Sequence, residues 1–339
     1  MSAPPLDAHV HVIVPELLRG AGGEPWRPRV QQDAHGQLVE LEGRTLRSIV
    51  GEAVEVEAVL AARARAGIDR VLLCPWVALL YPDADAQACL ERCRIQNAAL
   101  AAAVAAHGGR VAALGAVPLQ DPGLAAAELR ALRADGLLAG AEVTTSVGGA
   151  SLGDERFEPF WAAAEETEAL VLVHPTTRGF ALPALAEHYL WNTVGNPLET
   201  TIAAAHMTMA GTMERHPRLR VLLAHGGGAL LALRGRLAHA HGFQRDARAR
   251  LAESPLDSIR RFHFDTVTHD ARLLGELIRW VGADRVLLGS DHPFDMADPD
   301  PVATVRAAGL DAADEQAVLG GNAARLLGEA RPRDTPAHH

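Results

Sequence analysis

The stretch LDAHVHVIV at residues 6–14 predicts a buried β-strand that carries two histidines. Apolar residues fill most of it, which is typical of a strand in a parallel sheet that is covered on both faces. Side chains alternate along a strand, so His9 and His11 point to one side while Val10 points to the other. We therefore expect a first strand that directs two imidazoles at one point.

Seven further apolar runs follow, and segments rich in Ala, Leu and Arg with helical period separate them. The runs are DRVLLCPW, VAALGAVPL, LAGAEVTTS, ALVLVHPT, RVLLAHGGG, FHFDTV and RVLLGSDHP, which begin at residues 69, 111, 138, 169, 220, 262 and 285. Eight strands, each followed by a helix, predict an α/β fold of the (β/α)8 TIM-barrel type, with a doubly wound open sheet as the alternative. We expect one domain over residues 1–330, a small insertion at 16–46 after the first strand, and a disordered tail at 331–339.

Lysine is absent from all 339 residues, so the 32 basic residues are arginines. This excludes a Schiff-base lysine and a phosphate loop of the GKS or GKT type, because both need an ε-ammonium group. The formal net charge of -10 disfavours a general binder of nucleic acids or anionic membranes. No run approaches about 18 apolar residues, and an odd count of three cysteines without a secretory signal favours the cytoplasm.

Ionisable residues collect at the carboxyl ends of the predicted strands, which is the face where barrel enzymes carry their active sites. His174 ends the fifth strand and Asp291 the eighth, so both can join His9 and His11 at the barrel mouth. Three imidazoles and a carboxylate suit Zn²⁺ or a similar divalent ion, with a position left open for water. A single strand histidine is more often a hydrogen-bonded core residue. Because His225 also ends the sixth strand, ionisable residues stand at the ends of four strands, and this coincidence favours a metal.

Four motifs together carry a resemblance that runs from residue 7 to about residue 327. DAHVH at the start, VHP around His174, AHGGG around His225 and LLGSDHPF around Asp291 resemble the amidohydrolase superfamily, in the branch of 2-amino-3-carboxymuconate 6-semialdehyde decarboxylase. The resemblance implies that His9, His11, His174 and Asp291 hold the metal. It also implies that His225 is a general base that acts on the metal-bound water.

The missing lysine then bears on the number of metal ions. Many hydrolytic members of the superfamily bridge two metals with a carboxylated lysine on strand four, and here that strand reads AGAEVTTS. We therefore expect one divalent ion, Zn²⁺ in the first place and Mn²⁺ as the alternative.

Three further residues match substrate-binding positions of the family. The resemblance implies that Arg47 binds the substrate carboxylate, that Arg236 reaches the active site of a neighbouring subunit, and that Trp191 lines the pocket. Guanidinium groups suit carboxylates because they bind two oxygens in one plane. The structural alternatives are a solvated loop charge for Arg47, an ion pair on a helix face for Arg236 and a lid anchor for Trp191. Arg236 acting in trans implies a homodimer.

The predicted function is a metal-dependent, nonoxidative decarboxylase that acts on an aromatic or muconate-type carboxylate. In it His225 moves the proton, and whether Asp291 delivers the proton directly stays open. The alternatives are a hydrolase or hydratase that uses the same site on a lactone, an amide or an unsaturated diacid, and a noncatalytic metal-binding barrel. The strand-two exit CPWVALLYP and the insertion depart from the muconate decarboxylase pattern, so the bound ring or chain can differ.

Overall fold

Eight parallel strands pair in chain order in the computed structural model, which describes residues 4–18, 24–33, 36–47, 54–177, 180 and 182–328. The strands are β1 (Leu6–Val12), β2 (Arg29–Asp33), β3 (Gly36–Leu41), β4 (Arg44–Arg47), β5 (Arg70–Pro75), β6 (Val111–Ala116), β7 (Gly140–Thr144), β8 (Ser146–Val147), β9 (Ala150–Ser151), β10 (Leu170–His174), β11 (Arg220–Leu223), β12 (His263–Asp265) and β13 (Val286–Leu287). The barrel consists of β1, β5, β6, β7, β10, β11, β12 and β13. The predicted (β/α)8 barrel is confirmed.

The segment after β13 closes the barrel against β1. The amide of Ala8 donates to the carbonyl of Leu288 at 2.7 Å, and the amide of His11 donates to the carbonyl of His292 at 2.7 Å. Both β11 and β13 are shorter than predicted, so His225 and Asp291 lie beyond the strand ends. Their φ angles of 56° and 62° fall in the left-handed region, which no strand accommodates.

Helices surround the barrel. They are α1 (Pro15–Leu18), α2 (Val56–Arg65), α3 (Ala86–His107), α4 (Pro122–Ala134), α5 (Glu158–Glu166), α6 (Asn196–Met209), α7 (Thr212–Arg215), α8 (Leu230–Phe243), α9 (Pro255–Ile259), α10 (Ala271–Val281), α11 (Pro301–Ala307), α12 (Ala312–Gln316) and α13 (Asn322–Leu326). Two of them begin with the pair Asp-Pro, in which Asp121 and Asp300 accept a hydrogen bond from the first turn. Within the described ranges, no helix has the length and apolar character needed to cross a membrane.

The region after β1 forms a small antiparallel sheet in the order β2-β3-β4. Val39 and Leu41 of β3 are buried in one apolar cluster with Val12 of the barrel, and Trp26 packs edge-on against Tyr81. This sheet therefore sits on the barrel, and its last strand ends at Arg47. The residues after 328, where a disordered tail is expected, lie outside the described part of the chain.

Apolar side chains fill the middle of the barrel. One buried cluster takes alternate residues from the strands, including Leu72 and Cys74 of β5 and Leu170 and Leu172 of β10. The residues between them, such as Leu73, belong to other clusters that pack under the helices. Because the apolar layer closes the barrel below, the polar side chains at the carboxyl ends of the strands share one buried mouth.

Candidate metal centre

Four buried side chains converge at the mouth of the barrel. They are His9 and His11 of β1, His174 at the end of β10, and Asp291 after β13. One potential ligand atom from each lies within 4.8 Å of those of the other three. The structure therefore brings together the whole ligand set that the sequence indicates.

The hydrogen bonds of the three imidazoles leave their Nε2 atoms directed at one another. Each Nδ1 has an oxygen partner: an Asp265 carboxylate oxygen for His9 at 2.7 Å, the Pro75 carbonyl for His11 at 2.9 Å, and the Pro175 carbonyl for His174 at 2.9 Å. Since these oxygens accept, each Nδ1 donates, and each Nε2 is the ring atom left to face a metal ion. The Nε2 atoms of His9 and His11 are 3.0 Å apart, and two lone pairs at that distance repel unless a proton or a metal ion lies between them.

The Asp291 carboxylate completes this cluster. Its Oδ1 lies 3.2 Å from His11 Nε2 and 3.4 Å from His9 Nε2. Neither Oδ1 nor the Nε2 of His174 has a hydrogen-bond partner among the described residues, although both atoms are buried. Burial lowers the pKa of His174 to about 3. The surrounding imidazoles of His11, His174 and His225 outweigh the effect of burial on Asp291 and hold the pKa of its carboxyl well below its usual value. Three ring nitrogens around one carboxylate oxygen form a ligand set that fits a divalent cation.

Asp265 supports this cluster from behind, in a role that the sequence analysis did not assign. Besides the Nδ1 hydrogen of His9, it accepts the main-chain amides of His225 at 2.9 Å, Gly226 at 2.7 Å and Val267 at 3.1 Å. The carboxylate is fully buried, and it fixes both the ring of His9 and the turn after β11. One feature of the sequence points to this role. Asp265 stands at the end of β12, and that strand also ends at the barrel mouth.

His225 lies beside the cluster, in the turn His225–Gly227 that follows β11. Its Nε2 is 3.3 Å from Asp291 Oδ2, and its Nδ1 is buried without a partner among the described residues. Burial alone would lower the pKa of His225. The hydrogen bond and negative charge of Asp291 have the larger effect, and they raise this pKa above its ordinary value. The geometry suits a side chain that holds or transfers a proton at the mouth of the barrel.

Glu142 of β7 is a second buried carboxyl, and no pattern in the sequence indicates it. It stands on the fourth barrel strand, the strand that lacks a lysine, and its Oε2 is 4.0 Å from His11 Nδ1. Neither oxygen has a hydrogen-bond partner within the described residues, and burial raises the pKa of Glu142 to about 8. Burial therefore favours the neutral acid of Glu142 over the carboxylate.

The three predicted substrate residues are not among the four converging side chains. Arg47 ends β4, and its side chain is outside the described part of the structure. Trp191 is partly buried and opens a short π-helical turn, residues Trp191–Gly195, that runs into α6; its ring packs edge-on against Tyr189. Arg236 is exposed on α8. Among the described residues, no hydrogen bond, ion pair or ring contact joins Trp191 or Arg236 to the four candidate ligands.

A cavity of about 270 Å³ opens directly above the cluster, with His225 and Asp291 in its wall. This is close to the lower end of the roughly 300–1,000 Å³ of small-molecule sites, and it suits a compact ligand. Its wall is partly apolar, through Leu231, Leu277 and Met296, and partly polar, through Asn196, Thr268 and His269.

The turn after β11 packs tightly against the start of α6, and an alanine at Gly228 is expected to be strongly destabilising. Gly228 has a φ of 62°, and an added Cβ would lie 2.1 Å from the carbonyl oxygen of Pro197. We expect Gly228→Ala to lower the free energy of unfolding, measured by urea denaturation, by about 2 kcal/mol or more. Gly235→Ala in α8 is the control, because its added Cβ meets nothing within 4 Å. Equal losses in the two variants would contradict the packing argument.

Comparisons with known proteins agree with this arrangement. Residues 6–328 match the amidohydrolase family. The chain is 27% identical over 331 residues to 2-amino-3-carboxymuconate-6-semialdehyde decarboxylase of Dictyostelium discoideum, covering 95% of this chain and 91% of that protein. It is 27% identical over 253 residues to gamma-resorcylate decarboxylase of Rhizobium radiobacter, covering 68% and 75%.

A solved structure of similar fold is dihydroxybenzoic acid decarboxylase from Polaromonas sp. JS666 with bound manganese and the inhibitor 2-nitroresorcinol. The TM-score is 0.77 at 22% sequence identity, and the match covers 97% of this chain and 98% of that one. The predicted resemblance is thereby confirmed. The chain belongs to the amidohydrolase family.

Proposed function

We propose that the chain is a metal-dependent, nonoxidative decarboxylase of a small aromatic or muconate-type carboxylate. The observation that carries the proposal is the convergence of three imidazole Nε2 atoms and the Asp291 carboxylate beside His225, at the base of a cavity of about 270 Å³. The decarboxylase activity of the two curated relatives supports the reaction class. The proposed cofactor is one divalent ion, Zn²⁺ or Mn²⁺, and the manganese in the dihydroxybenzoate decarboxylase supports the second choice.

The proposed reaction assigns separate roles to the metal-holding residues and to His225. His9, His11, His174 and Asp291 would hold a divalent ion, whose positive charge would neutralise negative charge on the substrate's oxygen atoms. Loss of CO₂ breaks a C–C bond and leaves the electron pair on the ring or chain carbon, which must take up one proton. His225 stands at the cavity wall with its Nε2 held by Asp291 at 3.3 Å, and we assign it the delivery of that proton.

Recognition of the carboxylate is assigned to arginine, since the chain has no lysine. We propose that Arg47 binds the carboxylate, that Trp191 lines the pocket, and that Arg236 enters the site of a second copy in a homodimer. The exposure of Arg236 on α8 supports a role outside its own barrel. We further propose that the protein acts in the cytoplasm, which the three free cysteines support.

The experiment is a scan of carboxylates with the metal-loaded chain, in which ultraviolet spectra and liberated CO₂ are recorded together. Suitable compounds are 2,6-dihydroxybenzoate, 6-methylsalicylate and 2-amino-3-carboxymuconate 6-semialdehyde. The proposal requires CO₂ in step with substrate consumption for at least one compound. Turnover without CO₂, with oxygen-18 from water in the product, would assign the site to hydrolysis or hydration instead.

A further inference from the structure

A buried carboxamide lies in the wall of the cavity and is not used by the metal cluster. Asn196 is 4% exposed and lines the cavity together with His225 and Asp291. Its Oδ1 is buried and has no hydrogen-bond partner among the described residues. A buried polar group without a partner costs free energy, so its presence beside a cavity indicates that a ligand supplies the partner.

The surrounding structure holds Asn196 in place. It is the first residue of α6, and three residues later Glu199 accepts hydrogen bonds from Thr145 at 3.0 Å and from the amide and hydroxyl of Thr176 at 2.6 and 2.7 Å. On the other side, Gly228 lies against the Pro197 carbonyl. These contacts fasten the start of α6 to the ends of β7 and β10 and to the turn after β11, so the carboxamide is positioned before a ligand binds.

Two neighbouring hydroxyl groups in the wall are already paired. The hydroxyl of Thr193 donates to the Tyr189 carbonyl at 3.2 Å, and that of Thr268 donates to the Asp270 carbonyl at 3.0 Å. Asn196 differs from both because it retains a free acceptor. A carboxamide is neutral, carries both a donor and an acceptor, and therefore matches a hydroxyl group in either orientation of the amide.

We propose that Asn196 is a specificity-determining residue that binds a hydroxyl substituent of the substrate, one that is distinct from the groups held by the metal. The inference rests on the proposed function, since it takes the cavity to be the site of a carboxylate substrate. It adds a preference for a hydroxyl at one position of the substrate, set by Asn196. A ligand without that hydroxyl leaves the buried amide unpaired and is rejected for that reason.

The test measures, by calorimetry, the affinity of the manganese-loaded chain for a series of hydroxybenzoates. The reference ligand is 2-hydroxybenzoate. The other four ligands carry a second hydroxyl at C3, C4, C5 or C6. We expect the second hydroxyl to tighten binding about tenfold or more at one of these positions. Asn196→Leu, which keeps the side-chain shape without the polar atoms, is expected to abolish that advantage. Asn196→Ala serves as a second variant, and metal content and melting temperature verify that each variant is folded.

Ile202→Ala is the matched control, because Ile202 is 49% exposed on the same helix and does not line the cavity. It should keep the full preference for the second hydroxyl. A native chain that gains no affinity from any second hydroxyl, or a preference that survives in Asn196→Leu, would overturn the inference. Because binding is measured instead of turnover, a chain that shows the preference but releases no CO₂ would overturn the proposed function alone.

Discussion

Replacing His225 with asparagine is expected to lower kcat/KM by about 10² to 10⁴ while the bound metal stays near one ion per chain. The imidazole faces Asp291 across 3.3 Å but is not one of the four converging ligands. Asparagine keeps a polar side chain of similar reach but cannot exchange a proton. Steady-state CO₂ release and metal analysis of the same preparation measure the two effects. His107→Asn, at the end of α3 and away from the cavity, is the control and should change neither.

A different pattern would contradict the assignment of His225. If His225→Asn loses the metal but regains full activity when metal is restored, the ring is a ligand or a packing residue and not the proton carrier. The main-chain amide of His225 gives a reason to expect otherwise, because its bond to Asp265 at 2.9 Å does not depend on the side chain. The turn should therefore keep its shape in the variant.

Asp291→Asn is expected to lose both the metal and the activity. Asparagine has the same shape, but it removes the negative charge that faces the three Nε2 atoms. Loss of an outer-shell partner alone typically costs 10- to 100-fold in metal affinity, so we expect the loss of this ligand to cost about a hundredfold or more. Titration of the metal-free variant with Mn²⁺ or Zn²⁺ measures the affinity, and CO₂ release should fall with the occupancy.

The matched control is Asp295→Asn, four residues further on, where the carboxylate accepts a hydrogen bond from the Tyr189 hydroxyl at 2.8 Å instead of facing the cluster. Its metal affinity should equal that of the native chain. Native metal affinity in Asp291→Asn would contradict the ligand set. So would metal loss in both variants, because it would indicate a general disturbance of the loop after β13.

The barrel and the convergence of four candidate ligands at its mouth were predictable because both depend on local patterns. Short apolar runs that alternate with helical segments define a barrel, and the carboxyl ends of its strands define one mouth. His9, His11, His174 and Asp291 stand at those ends, so spacing and topology sufficed. The absence of lysine from the fourth barrel strand was also evident from the sequence. In the structure this strand is β7, and it carries Glu142.

The remaining site residues depend on contacts between distant segments. Asp265 was visible as a strand-end carboxylate, but its bonds to His9 and to the turn after β11 arise only when the barrel closes. Asn196 reads in sequence as one polar residue in a loop. Its importance follows from a side-chain oxygen that is buried without a hydrogen-bond partner among the described residues. The periodicity of the sequence does not reveal such burial. Glu142 is similar, since its raised pKa comes from burial.

We propose that a metal-dependent reaction at the mouth of the barrel replaces the substrate's carboxylate with a proton and releases CO₂. The direct measurement is product analysis in D₂O with an accepted carboxylate, comparing the metal-loaded chain with the metal-free chain. With the metal-loaded chain, we predict one CO₂ for each substrate molecule consumed and one deuterium at the carbon that carried the carboxylate. With the metal-free chain, we predict no turnover. Consumption without CO₂, or equal turnover by the metal-free chain, would contradict the claim.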